Sequence, residues 1–493
     1  MFRSHAPPRA NGIGAFIAAR PRVYYRPNDR RGGREGRASR RRRVPAAAIG
    51  MMNGPFRITS TLRRIIVNTG WLFSLRVLRI LVGLFVSVWV ARYLGPDRFG
   101  SFSYAIAFIT LFTPIAQLGL KELVVRDIVR EPAARAEIMG TAFFLRLGGG
   151  AIAFAGASLS ILLVRDEQVV RFMTAIVAFG LLFSAFETIE LWFQSKVEAK
   201  YPVVARAVAL IVASAAKVAM ILLRAPVVAF AAVAAFEMVA IAVGFLVVYR
   251  LSGFRLAEWR FRLARARELL AQCWTLVLAG VLSIIYLRID QVMLGGMLGD
   301  GAVGVYSTAV RLSEVWYFVP IAVSTSVFPA LVRARERDVA LYGRRLQQLY
   351  DFLAGLALVT AIAVTIVAGP LVRILFGERY AGAAPILSIH IWAGLFVFLR
   401  AGLGRWLITE GYMTFFFYSN AIGCAANVLL NLYLIPRYGG VGAATASIVT
   451  YFLATFGACF IYRPARPAGR MMALALAVPV RAPLRFFRRK RDA

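Results

Sequence analysis

The chain has 493 residues, of which 60% are hydrophobic, and a formal net charge of +35. Soluble domains are about 45–50% apolar, so the composition excludes an ordinary soluble globule, and the length allows about a dozen membrane spans of roughly 20 residues each. The positive charge does not indicate nucleic-acid binding, because 13 arginines lie in residues 1–50 and nine Lys or Arg lie in residues 463–493, at the two ends of an apolar body. This distribution is typical of a bacterial inner-membrane protein.

Residues 1–60 are predicted to form a basic disordered tail. The segment "RRGGREGRASRRRR" (30–43) has the composition of an arm that could bind anionic membrane lipids or RNA. We favour a simpler interpretation, in which translation begins at Met51 or Met52 and the first 50 residues are a gene-model extension. The first 60 residues show no pattern of a cleavable signal peptide.

The apolar runs predict an all-α integral membrane protein of about twelve transmembrane helices. Six of these form an N-terminal lobe (61–265), six form a C-terminal lobe (266–463), and residues 464–493 form a basic cytoplasmic tail. The predicted spans are 70–93, 101–120, 139–164, 171–193, 202–223, 226–249, 268–293, 303–330, 349–375, 384–409, 412–435 and 440–462.

The connecting segments predict the orientation of the chain in the membrane. One alternating set (121–138, 194–201, 250–267, 331–348 and 410–411) carries 17 Lys or Arg, whereas the other set carries five. Because positively charged loops remain in the cytoplasm, both termini are expected to be cytoplasmic and the sparsely charged loops to lie outside.

Two segments half a chain apart resemble each other. "ARYLGPDRFGSFSYAIAF" (91–108) returns as "GGMLGDGAVGVYSTAVRL" (295–312), with a shared order LGxxxxGx[FY]SxA. Each covers the end of a lobe's first helix, a tight turn and the start of its second helix. Since six spans separate the copies, the lobes are predicted to be parallel repeats around a central cavity, as in transporters that work by alternating access.

The glycines and prolines of these segments have predicted roles. The Leu-Gly pairs permit a left-handed turn, and Gly100 and Gly304 permit close packing of the next helix. Pro114 and Pro320 are candidate hinges, because proline removes a backbone hydrogen bond and bends a helix.

These segments carry a family resemblance that covers roughly residues 60–460. "ARYLGPDRFGSFSYAIAF…LGLKELVVRDIVRE", "ETIELWFQSKVEAKY" (187–201) and "LRIDQVMLGGMLGDGAVGVYSTAVRLSE" (287–314) resemble, in this order, segments of the Wzx-type polysaccharide flippases, members of the multidrug/oligosaccharidyl-lipid/polysaccharide exporter superfamily. The resemblance implies translocation of undecaprenyl-diphosphate-linked oligosaccharide to the outer leaflet for O-antigen, capsule or exopolysaccharide synthesis. It also implies work alongside a polysaccharide polymerase or assembly proteins.

Charged residues within the predicted spans are costly, at about 2.5–3.5 kcal/mol each near the bilayer centre, and usually face a cavity or a partner. Arginine suits a diphosphate because its planar group donates two parallel hydrogen bonds. The candidate cavity residues are Arg79, Arg146, Arg311 and Arg400, deep in their spans, and Arg76 and Arg206, nearer to span ends, where they could instead extend to the interface.

A second group of charges is a candidate ion pair or gate: Arg288, Asp290 and Glu314. Arg288 and Asp290 could pair at the outer end, and Arg311 and Glu314 could neutralise each other along one helix face. Asn420, Asn427 and Asn431 share a face and could line the cavity, although interhelical hydrogen bonding is favoured. For His390, a structural role is favoured over a protonation switch.

Several other functions compete with the flippase. An enzyme is disfavoured, because the predicted outer loops are too short to hold chemistry and no nucleotide, cofactor or metal motif is present. A drug exporter coupled to H⁺ or Na⁺ would need deep acidic residues, whereas deep cations predominate here. A flippase for the peptidoglycan lipid precursor commonly has two more helices, and "MMALALAVPV" (471–480) is too short to span.

Overall fold

The computed structural model describes residues 60–477, and all regular secondary structure in this range is helical. The prediction of an all-α protein is confirmed. The predicted basic tail at 1–60 and the end of the predicted C-terminal tail lie outside the described residues. The α-helices are α1 (Ser60–Thr110), α2 (Thr113–Gln117), α3 (Lys121–Arg130), α4 (Arg135–Val164), α5 (Gln168–Phe179), α6 (Thr188–Ser195), α7 (Lys200–Leu222), α8 (Val227–Leu251), α9 (Leu263–Leu298), α10 (Asp300–Glu314), α11 (Phe318–Arg337), α12 (Val339–Phe376), α13 (Ala383–His390), α14 (Ala393–Glu410), α15 (Met413–Phe452), α16 (Ala458–Ile461) and α17 (Arg466–Leu476).

Helix α1 is a hairpin rather than one straight rod. Its backbone leaves the helical conformation at Gly95, which has φ 74° and ψ 170° and precedes Pro96. In a continuous helix Ile80 and Thr110 would be about 45 Å apart, yet both line the same cavity. The chain therefore folds back at Gly95, and α1 contributes two passes.

Helix α15 folds back in the same way at Gly439, which has φ 55° and ψ −134°. A Cβ atom built on Gly442 would lie 2.3 Å from the carbonyl oxygen of Leu434, although eight residues of straight helix would separate the two by about 12 Å. Among residues 60–477, ten helices are long and apolar enough to cross a membrane. Two of the ten are these hairpins, which explains the difference from the twelve predicted spans.

The two repeated segments pack directly against each other. A Cβ built on Gly100 would lie 1.7 Å from the carbonyl oxygen of Asp300, and one built on Gly304 would lie 2.1 Å from that of Pro96. The predicted left-handed turns are present at Gly95 (φ 74°) and Gly299 (φ 82°). Because only glycine leaves room for this approach, the repeat forms the contact between the two halves of the chain.

Polar contacts also join the two halves, at the end of the bundle where the sparsely charged segments meet. Arg165 binds the Asp300 carboxylate at 2.6 Å and the carbonyl oxygen of Gly295 at 2.7 Å. The Tyr380 hydroxyl donates to the carbonyl oxygen of Ala91 at 2.8 Å. The halves are thus held together at the end that the charge distribution predicts to be outside.

The predicted cytoplasmic loops contain more helix than expected. Most of segment 331–348 belongs to α11 and α12, which are separated only at Asp338, whose carboxylate accepts a hydrogen bond from the backbone N–H of Ala340 at 2.8 Å. Segment 121–138 contains α3, and the predicted tail contains α17. Long apolar runs do not predict these helices, because charged residues interrupt their hydrophobic pattern. Helices α3 and α17 are amphipathic and pack through one face only.

Candidate substrate cavity

A cavity of about 480 Å³ lies among the helices of the first half, and Arg311 from the second half completes its wall. We call it the central cavity. Its charged lining residues are Arg79 from α1, Glu187, Arg206 and Lys217 from α7, Glu237 from α8, and Arg311 from α10. Much of the remaining wall is apolar, which strengthens the electrostatic effect of these charges.

Every carboxylate of the central cavity has a cationic partner. Arg206 contacts Glu187 at 2.9 Å and the neighbouring Glu190 at 2.5 Å, and Lys217 contacts Glu237 at 3.1 Å. These pairs cancel most of the local charge. They also hold the 3₁₀ segment Gly180–Glu187 and α6 against α7, and α7 against α8.

Two cavity arginines have no acidic partner. No carboxylate of residues 60–477 lies within 4.0 Å of Arg79 or Arg311. Arg79 is exposed to the cavity, and the Arg311 guanidinium donates to the Ser87 hydroxyl and lies 5.2 Å from the ring centre of Phe99. Hydroxyl and aromatic partners orient a guanidinium without cancelling its charge. The central cavity therefore presents two free positive charges, one from each half.

Two smaller cavities continue from the central cavity. The second, of about 400 Å³, shares Ser87 and Arg311 with it and reaches Arg288 and Glu314. The third, of about 390 Å³, shares these last two residues and adds the candidate residues Arg76 and Arg400. The Arg400 guanidinium is held by neutral groups, the Asn420 amide oxygen at 2.5 Å and the Ala454 carbonyl at 3.1 Å.

Five of the six predicted cavity arginines therefore line this series of cavities. Arg146 does not: it is only 3% exposed and contacts Glu187 at 3.4 Å from behind the cavity wall. Its sequence position, deep in a span, predicted burial correctly but could not distinguish a cavity face from a packed helix interface.

The ion pair at the second cavity differs from both predicted pairings. Arg288 contacts Glu314 at 3.1 Å, so Arg288 does not pair with Asp290 and Glu314 does not neutralise Arg311. Residues two apart on a helix point in different directions. Asp290 is instead buried, accepting hydrogen bonds from the Tyr306 hydroxyl and the backbone N–H of Gln291.

The candidate hinge prolines both follow an interruption of their helix. Pro114 lies in the first turn of α2, after the Leu111–Phe112 turn, and Pro320 lies in the first turn of α11, after the 3₁₀ segment Val315–Tyr317. The helical hydrogen-bonding pattern thus changes just before each proline, and a bend at the proline stays a prediction. A hinge role stays a prediction.

The remaining polar residues are buried among the helices, and one charged residue was missed. Asn420 donates to the carbonyl of Ala279 at 3.3 Å, and His390 Nδ1 lies 3.0 Å from the Ser313 hydroxyl. Asn427 accepts from Asn431 within α15. The missed residue is Glu237, a single acid in the apolar run 226–249, where an intramembrane charge was the available signal.

The chain matches two family profiles. The family described as "Polysaccharide biosynthesis protein" matches residues 65–335, more than half of the chain, and "Lipid II flippase MurJ" matches residues 238–480. A protein of Haloferax volcanii named "Probable flippase AglR" is 25% identical over 173 residues, which are 34% of this chain and 36% of that protein. The chain spans between a third and a half of the length of the curated relatives it matches.

Solved structures share the fold. The lipid II flippase MurJ in an inward closed conformation superposes with a TM-score of 0.65 at 13% identity, covering 84% of this chain and 92% of MurJ. A superfamily transporter from Pyrococcus furiosus superposes with a TM-score of 0.58 at 15% identity, covering 85% of this chain and 96% of that one. The family matches reported above confirm the prediction that the chain is not an enzyme. The chain belongs to the polysaccharide biosynthesis protein family, with the fold of the multidrug/oligosaccharidyl-lipid/polysaccharide exporter superfamily.

Proposed function

We propose that this chain moves an oligosaccharide linked to a lipid diphosphate from the cytoplasmic to the outer leaflet of the bacterial inner membrane. The observation that carries the proposal is the pair of free cations, Arg79 and Arg311, facing the central cavity from the two halves of the chain. A diphosphate diester carries two negative charges, and guanidinium groups bind phosphate oxygens in pairs. The free charge of the cavity thus matches the charge of the cargo.

The finer features of this proposal follow from the sequence. The lipid is undecaprenyl diphosphate, and the glycan is a unit of O-antigen, capsule or exopolysaccharide that a polymerase or assembly protein uses next. Both termini are cytoplasmic, and the lobes 61–265 and 266–463 alternate access to the cavity. The relatives' names support this class of cargo: AglR is called a flippase, and a Staphylococcus aureus relative is named "Capsular polysaccharide biosynthesis protein CapF".

Pro114 and Pro320 are proposed as hinges of this exchange, since each begins a helical segment next to the cavities. Replacing either with alanine should slow transport more than it lowers the amount of folded protein. Unchanged transport in both variants would remove the hinge role.

The test uses purified protein in liposomes that contain a lipid-diphosphate oligosaccharide from the native host. A glycosidase that cannot cross the bilayer reports which leaflet the glycan faces. Protein-dependent movement is expected, and imposed H⁺ or Na⁺ gradients then identify any coupling ion. Transport of ethidium-type cations without glycan movement would assign the chain to drug export. That result is not expected, because both carboxylates lining the central cavity already have cationic partners.

A peptidoglycan lipid precursor is the second candidate cargo, favoured by the MurJ profile match over residues 238–480. Both cargoes share the diphosphate and differ in the sugar. Competition between lipid II and the host oligosaccharide lipid in the same liposome assay distinguishes the two cargoes. The true cargo should inhibit movement of the other lipid at a lower concentration than the reverse.

A further inference from the structure

An apolar groove of about 600 Å³ opens between α4 of the first half and the start of α9. We call it the lateral groove. Phe144, Gly148 and Ile152 of α4 form one wall, Phe261 and Leu270 form another, and none of the lining residues carries a charged or polar side chain. Phe144 and Ile152 are 48% and 67% exposed, so the groove faces the lipid rather than the protein interior.

Helix α2 and the residue after it separate the lateral groove from the central cavity. Thr113 and Gln117 line the central cavity, whereas Ile115 and Leu118 line the groove. A single five-residue helix therefore has a polar face toward the free arginines and an apolar face toward the membrane.

The local backbone makes α2 a separate segment. It follows the Leu111–Phe112 turn and ends at Leu118 and Gly119, which have left-handed φ values of 53° and 57°. Helix α2 lies between glycines of its neighbours: a Cβ on Gly149 would be 2.6 Å from the carbonyl oxygen of Ile115, and one on Gly280 would be 3.3 Å from Pro114. Small residues on both sides let the backbones of the neighbouring helices approach the segment closely.

The position of the groove along the membrane normal fits a lipid of the cytoplasmic leaflet. Phe144 and Ile152 are eight residues apart on α4, so the groove extends about 12 Å along that helix. Its Phe261 end adjoins the basic segment 250–267, which the charge distribution predicts to be cytoplasmic. A hydrocarbon core is about 30 Å thick, so the groove lies within one leaflet.

Building on the function proposed above, we propose that the lateral groove binds the prenyl chain of the lipid-linked substrate while its diphosphate occupies the central cavity, with α2 as the gate between them. The two parts of such a lipid are joined covalently, so a cavity that holds the diphosphate needs an apolar site immediately beside it for the first isoprene units. The groove is in that place. Its walls carry two aromatic rings and two glycines, and we expect it to take a prenyl chain in preference to the acyl chains of bulk phospholipid.

The test uses undecaprenyl diphosphate that carries a photoreactive diazirine on the isoprene unit nearest the diphosphate. The full-length protein is reconstituted in vesicles of phosphatidylethanolamine and phosphatidylglycerol, irradiated and mapped by mass spectrometry. Gly148→Phe fills the groove, and it should fold because a Cβ at Gly148 meets no atom within 4 Å. Gly355→Phe on α12 is the matched control, a helical glycine outside the groove with the same free space.

The label is expected on peptides that contain Phe144 or Phe261. It should fall at least tenfold with excess unlabelled undecaprenyl diphosphate and in Gly148→Phe, and persist in Gly355→Phe. Equal competition by added phosphatidylglycerol, or an unchanged signal in Gly148→Phe, would mean that ordinary lipid fills the groove and would overturn the proposal.

A second ligand separates this inference from the proposed function. A soluble oligosaccharide diphosphate without a prenyl chain should bind wild-type protein and lose affinity in Arg311→Ala. If it binds but the groove is not labelled, the groove assignment alone is wrong. If it does not bind, the cationic cavity is not a diphosphate site, and both proposals fail together.

Discussion

The cations that line the cavity series form two groups, which differ in what surrounds them. In one group, Arg206 contacts Glu187 and Glu190, and Lys217 contacts Glu237, so carboxylates cancel these positive charges. Such pairs connect helices. A partly buried cation with a carboxylate at hydrogen-bonding distance has little remaining attraction for a diphosphate.

In the other group, arginines are oriented by neutral groups. Arg311 donates to the Ser87 hydroxyl, and Arg400 donates to the Asn420 amide oxygen. These partners fix the side chain but leave its full positive charge available. We therefore propose that the partner of an arginine, rather than its depth in a span, decides whether it binds substrate or supports the fold.

The largest expected effect is on the free arginines. Arg79→Ala and Arg311→Ala should each reduce transport about ten- to a hundredfold, since a hydrogen bond to a charged group contributes about 1.5–3 kcal/mol. The double variant should be indistinguishable from empty liposomes in the glycosidase assay. Arg373→Ala is the control, because Arg373 is 65% exposed and outside the cavities. Normal transport in the double variant would contradict the distinction between free and paired cations.

The next effect concerns the contact between the repeats. Gly100→Ala places a methyl group on the Asp300 backbone, so the halves cannot approach at this end and the closed arrangement should be lost. Gly296→Ala is the control, because its methyl group meets no atom within 4 Å. With cysteine introduced at Ser103, which is buried and lines the second cavity, membrane-impermeant maleimide should label the Gly100→Ala protein at least tenfold faster than the control. Equal labelling rates would mean that this contact does not close the cavity.

A smaller effect, on stability rather than binding, is expected for the cations that have carboxylate partners. Glu187→Ala leaves the buried Arg146 without its carboxylate, and removing one partner of a buried pair costs about 3–5 kcal/mol. The melting temperature in detergent should fall, and the folded fraction should still bind the soluble oligosaccharide diphosphate within about threefold of wild type. The double variant Arg146→Met with Glu187→Ala should recover part of the stability, because it removes the unpaired charge. Lost binding with unchanged stability would mean that Glu187 supports substrate binding rather than the fold.

The sequence carried much of the fold but not the pairing of its charges. The LG turns at Gly95 and Gly299 and the close approach of Gly100 and Gly304 were predictable, because a local backbone requirement selects glycine there. The partner of Arg288 was not, since Glu314 lies on a different helix and only tertiary packing brings the two together.

Tertiary packing also explains why the interruption of the second span could not be predicted from the sequence. Its apolar run, 101–120, reads as one helix, whereas the structure breaks it at Leu111–Phe112 and again at Leu118. Pro114 was the only local signal, and it predicted a bend without showing that the residues after it form a short separate helix between two cavities. Which face of that helix meets which cavity depends on α4 and α9, which are distant in sequence.

The smallest expected effect sharpens the comparison by converting a paired arginine into a free one. Glu314→Gln keeps the shape of the side chain but removes the negative charge that faces Arg288 at 3.1 Å. Partly exposed ion pairs contribute only about 1 kcal/mol or less to stability, so the fold should be retained. The released guanidinium borders the second cavity, which adjoins Arg311. It should tighten binding of the soluble oligosaccharide diphosphate up to about fivefold, and this effect should decline as ionic strength rises.

Titration calorimetry at two salt concentrations measures this change in affinity. The matched control is Glu378→Gln, which breaks the exposed pair with Arg373. Weaker binding in Glu314→Gln would show that the Arg288–Glu314 pair shapes the site, and that orientation rather than free charge limits its affinity.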